Sequence, residues 1–107
     1  MAEERGSTGA SPFDGVDSRL TIYALANGMD LIKDEGFRRL EWYRDGMDRG
    51  ILVSATPAGA LEVAVLVWSG NPDGARSAPV GDAMSAADLA ARISTVLDGA
   101  TEAANAL

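Results

Sequence analysis

The chain has 107 residues, carries sixteen acidic against nine basic side chains for a net charge of −7, and contains neither cysteine nor histidine. Its length suits one domain, and the two absent residue types remove disulfides, thiol nucleophiles, thiolate metal sites, the usual general base near neutral pH and the commonest zinc ligand. The charge opposes unspecific attraction to nucleic acid or anionic membrane, and no apolar run approaches the ~20 residues of a membrane span.

The opening stretch MAEERGSTGASPF is small, polar and aperiodic. This composition predicts a disordered tail over residues 1–13, followed by a single α+β domain over residues 14–107. The acidic start lacks the basic and apolar regions of a secretory signal, which points to a cytoplasmic address. From residue 16 to residue 37 the apolar positions Ile22, Leu25, Ala26, Met29, Ile32 and Phe37 recur at three- and four-residue steps and predict one face of a helix. Asp17 or Ser18 is placed to cap it. Asn27-Gly28 and the alternation Leu20, Ile22, Ala24 support a competing β-hairpin over residues 20–31. The helix is preferred, with Gly36 near its end.

Residues 40–68 alternate between apolar and other residues and predict a three-stranded antiparallel meander, with strands at 40–44, 51–56 and 61–68. The charged, two-glycine segment 45–50 forms one exposed loop, and Pro57-Ala58-Gly59-Ala60 forms the other. Leu61, Val63, Val65 and Val67 mark a core face. The opposite face carries Leu52, Leu66 and Trp68 where a wet face would carry charge. Burying each such side chain is worth roughly 1.5–3 kcal/mol, against a net stability of about 5–15 kcal/mol for a small domain. A helix of the same chain or a second copy in a homodimer is therefore expected to cover them. Leu52, Leu66 and Trp68, with Trp42 and Tyr43, are the interface candidates.

Between residues 33 and 49 the bases Lys33, Arg38, Arg39, Arg44 and Arg49 are balanced by Asp34, Glu35, Glu41, Asp45 and Asp48, so the net negative charge lies elsewhere. Arg38, Arg39 and Arg44 beside Trp42 and Tyr43 form the one place where cations meet aromatics, and they are the nucleic-acid candidates. Their acidic neighbours favour a salt-paired strand. After Trp68, Asn-Pro, Asp-Gly and Ala-Pro steps predict a loop with a short extended piece over residues 76–80. Ser85-Ala86-Ala87-Asp88 then has the form of a capping box. It opens a C-terminal helix whose stripe Leu89, Ile93, Val96, Leu97, Ala100, Ala104 is expected to pack on the sheet, with Asp88, Arg92 and Asp98 in water.

No glycine-rich phosphate loop of the GxGxxG or GxxxxGK[ST] form occurs. The acid pair Asp34-Glu35, and Asp45 with Asp48, lack the repeated ligands and closing Glu of a calcium loop. No catalytic residue, metal ligand or cofactor is assigned, and a non-enzymatic contact protein is expected. Trp68-Ser69-Gly70 matches the W-x-G tripeptide of small type VII secretion substrates, but here it ends a strand, and neither Tyr23 nor Tyr43 has an acid four residues on.

Leu40-Glu41, the glycine-bearing turn ending at Gly50, Ile51-Leu52-Val53-Ser54, Gly59 and a final helix with Leu89, Ile93 and an Ala-rich tail together resemble the YbaB-like nucleoid-associated family over about residues 20–105. The Ala/Asp/Arg/Gly-rich composition with one lysine looks actinobacterial, where proteins similar to this fold include acidic type VII secretion-associated ones. The resemblance implies a homodimer that binds DNA in the first case, or a protein-binding, chaperone-like factor in the second. The charge favours the protein-binding reading.

Overall fold

The computed structural model describes residues 11–107. The disordered tail expected over residues 1–13 lies outside this range except for its last three residues. Of these, Phe13 is fully buried, so the domain begins earlier than composition suggests. Helix α1 (Asp17–Ala26) leads into a five-stranded antiparallel sheet of β1 (Asp30–Lys33), β2 (Phe37–Arg44), β3 (Met47–Ala55), β4 (Leu61–Trp68) and β5 (Arg76–Pro79). The strands lie in chain order across the sheet. Helices α2 (Ala86–Ala91) and α3 (Ile93–Ala106) close the chain. The α+β meander flanked by helices is as expected, with a strand added on each side.

The helix expected to run towards residue 37 stops at Ala26 because Asn27-Gly28 does act as a turn. Gly28 sits at φ +67, where a glycine carries no steric cost, and the Asn27 amide donates to the Tyr23 carbonyl. The buried stripe is Val16, Leu20, Tyr23 and Ala24, so Ile22 and Leu25 point outward, at 66% and 78% exposure. Neither Asp17 nor Ser18 caps: the N-cap is Val16, which makes no side-chain bond. Asp17 in the first turn instead receives Arg38.

The expected loop at residues 45–50 shrinks to Asp45-Gly46, both at positive φ (54 and 80), as a two-residue turn between right-twisted strands requires. Residues 47–50 are strand. The Thr56–Ala60 connection forms as expected, with Gly59 at φ +87. Ser85 caps α2 through Oγ, which accepts from the Asp88 amide at 3.0 Å. The helix then breaks at Arg92, unmarked by any glycine or proline, and resumes as α3.

Leu40, Ile51, Val53, Leu61, Val63 and Val65 project from one face of the sheet and pack against Phe13, Leu20, Leu89, Leu97, Ala100 and Ala104 to form the core. The end of α3 is held by groups that suit the negative pole of a helix. Arg49 Nη1 donates to the Ala104 carbonyl at 2.6 Å, Arg76 Nη2 to the Leu107 carbonyl at 3.2 Å, and Trp42 Nε1 to Asn105 Oδ1 at 3.0 Å.

Helices α1 and α3 are joined by the Tyr23 hydroxyl, which donates to Asp98 Oδ1 at 2.6 Å. Burial, then the bond to Asp98, pushes this hydroxyl above its ordinary value of 10.0. The folded state therefore holds the proton more tightly than the unfolded chain does. The resulting stability is complete below about pH 10 and is lost as pH rises through the elevated folded value. Tyr23→Phe is expected to cost about 1 kcal/mol at pH 7 and to flatten the alkaline loss, as read by urea unfolding at pH 7 and pH 11.

Candidate functional site

Strand register divides the sheet's side chains between two faces, because directly paired residues share a side. Across β1 to β5 the rows Ile32, Arg39, Leu52, Ala64, Pro79 and Asp30, Glu41, Gly50, Leu66, Ser77 lie on the face opposite the core. Phe37, Ser54 and Glu62 extend that face at one end, and Tyr43, Asp48 and Trp68 at the other. Ile32, Phe37, Leu52, Ala64 and Leu66 are half-buried, and none joins the core cluster. Among the described residues, those of the sheet that pack with the helices come from the other face. The same-chain helix expected to cover Leu52, Leu66 and Trp68 is thus absent from this side among the described residues.

Trp68 is nevertheless only 6% exposed. Its indole lies over Gly50, so close that a Cβ there would stand 3.2 Å from Trp68 Cζ3 and 3.3 Å from the Leu40 carbonyl oxygen. Missing side-chain volume on β3 lets the indole lie along the sheet. Leu52 and Leu66 have no comparable seat and remain half-buried. Tyr43 is 66% exposed at the end of this face. Trp42 belongs to the core face and is occupied by Asn105, so it leaves the set of surface candidates.

The three arginines singled out with the aromatics do not converge. Arg38 projects to the core side, where its guanidinium holds Asp17 through two bonds, Nε–Oδ1 at 2.7 Å and Nη2–Oδ2 at 3.0 Å, and stacks 4.1 Å from the Phe13 ring centre. Arg39 lies on the open face, paired with Glu41 and 5.6 Å from the Phe37 ring centre. Arg44 is exposed on the core side of the register beside Asp45, at 3.5 Å. Nothing in the primary structure signalled the bond from Arg38 to Asp17, twenty-one residues away.

No protein family, curated protein or solved structure matches the chain. The likeness to YbaB-like or secretion-associated proteins therefore gains no support.

Among the described residues no group of three or more His, Cys, Asp or Glu is arranged to hold a metal ion. The groove between α1 and α3, with a volume of about 420 Å³, is lined by Arg19, Ile22, Tyr23, Ile93 and Asp98. Its Tyr23 hydroxyl is committed to Asp98 with a raised pKa, the wrong direction for a nucleophile or base. Among the described residues no helix is long and apolar enough to cross a membrane.

Proposed function

We propose that the protein is a non-enzymatic interaction factor, adaptor-like or chaperone-like, that works through the open face of its sheet. The observation that carries this reading is the half-exposed apolar centre, Leu52, Ala64 and Leu66, on a face that no helix of the described chain covers. A face of this kind is unusual for a sheet standing in water, and contiguous apolar surface marks sites of contact. The three middle strands, about eight residues each, with two short edges offer roughly 500 Å² of face, near the lower bound of about 1,000 Å² in total for a specific interface.

Leu52→Ser combined with Leu66→Ser tests this. Both side chains are already partly wet, so the pair is expected to cost only about 2 kcal/mol and to leave the fold intact by circular dichroism. In extracts of cells that express it, the unaltered chain is expected to elute in an assembly heavier than a monomer, and the double variant as a monomer. Identical elution of the two would contradict the reading.

A further inference from the structure

We infer that the open face takes a basic amphipathic helix; this rests on the contact reading above and adds the chemistry of the partner. The sheet separates its charges by side. All four strand carboxylates, Asp30, Glu41, Asp48 and Glu62, lie on the open face. Of the strand bases only Arg39 does, and Glu41 neutralises it. Lys33, Arg38, Arg44, Arg49 and Arg76 all project to the helical side, where Arg38, Arg49 and Arg76 bind Asp17 and the carbonyls at the end of α3. The open face is left with an apolar centre, Leu52, Ala64 and Leu66, and carboxylates around it: Asp30 and Glu41 towards β1, and Asp48 and Glu62 at opposite ends of the middle strands.

That pattern selects its occupant. A second copy docked face to face would set two faces of like net charge against each other, each with four carboxylates and Arg39 as its one strand base, which is unfavourable. The homodimer expected from the primary structure is therefore the weaker occupant. A helix with an apolar stripe flanked by Lys or Arg would place the stripe on Leu52 and Leu66 and its cations beside Asp30, Asp48 and Glu62. The opposite face shows that the sheet accepts such a layer, because the fourteen-residue α3 packs there across β3 and β4.

The test uses the full chain carrying Trp42→Phe, so that Trp68 is the only indole, and a synthetic fourteen-residue amphipathic peptide of leucine and lysine. Titration is expected to give a saturable change in Trp68 emission, weakened at least tenfold by raising salt from 50 to 500 mM. Asp30→Asn with Asp48→Asn and Glu62→Gln is expected to lower affinity about tenfold. Asp82→Asn with Asp88→Asn and Glu102→Gln, which removes the same charge from the helical side, is expected to leave affinity within twofold. Equal losses in the two triple variants would reduce the binding to unspecific charge attraction and overturn the inference. A peptide with glutamate in place of lysine binding as well would also overturn it. So would a mass that doubles with concentration and reverts in Leu52→Ser/Leu66→Ser, although that result would leave the face as the contact surface. An unresponsive Trp68 would overturn the partner's chemistry alone, since elution of the leucine variants decides the contact reading separately.

Discussion

Arg38→Ala is expected to cost about 3 kcal/mol, enough to unfold a domain of ordinary stability under mild heating. The guanidinium side chain is 10% exposed and its carboxylate partner 29%. Removing the cation strands the Asp17 carboxylate in a half-buried place and withdraws donors from the Asp34 and Phe37 carbonyls. It also removes the planar cation from the ring of Phe13, which loses its cover. The pair Asp17→Ala with Arg38→Met leaves neither charge unpaired and restores an apolar stem over Phe13, so it is expected to recover more than half of the loss. Urea unfolding of the single and double variants reads both values. A loss below about 1 kcal/mol for Arg38→Ala would mean that the pair behaves as a surface ion pair and does not tie the start of the domain to the sheet.

Gly50→Val is expected to cost about 2–3 kcal/mol and to unseat Trp68. The backbone at Gly50 tolerates a side chain, since its φ is not positive, so the effect is one of space. A Cβ meets the indole at 3.2 Å and the Leu40 carbonyl at 3.3 Å, and the carbonyl belongs to a paired strand and cannot move. The indole must give way and rise off the sheet. Its emission, read in the Trp42→Phe background, is expected to shift to longer wavelength as water reaches it, and the unfolding midpoint to fall. Unchanged emission in a stable variant would show that Trp68 is held by something other than the gap at Gly50.

Strong local signals in the primary structure coincide with the elements that form. The period-two runs at Ile51 and Leu61 gave the middle of the sheet, and Ser85 with Asp88 gave the start of α2. Asp45-Gly46 is as plain a turn signal as Asn27-Gly28, yet each sits inside a longer pattern, a charged segment in one case and a helical stripe in the other. The longer patterns therefore place β1 in a helix and the first residues of β3 in a loop, whereas both are strand. The stripe from Ile22 to Phe37 fitted a helical period by chance across an element boundary, which periodicity alone cannot detect.

The greasy second face was legible because Leu52, Leu66 and Trp68 alternate with core residues. Its shelter was not, because the seat of Trp68 depends on a glycine in the neighbouring strand. The separation of charge between the faces became visible only once pairing had fixed which side each of Asp30, Arg39, Glu41 and Asp48 takes. A one-residue slip would have reversed it. Likewise, Arg38 beside Trp42 and Tyr43 has the composition of a nucleic-acid surface in one dimension. In three dimensions Arg38 and Trp42 face α1 and α3, while Tyr43 faces outward.

The most direct measurement is photocross-linking in cells, with a benzophenone amino acid placed at position 66 on the open face or at position 102 on the outside of α3. A discrete protein adduct from position 66, absent from position 102, is expected if the open face is where the protein makes its contact. Adducts from position 102 with none from position 66 would move the working surface to the helices and contradict the function proposed for the sheet.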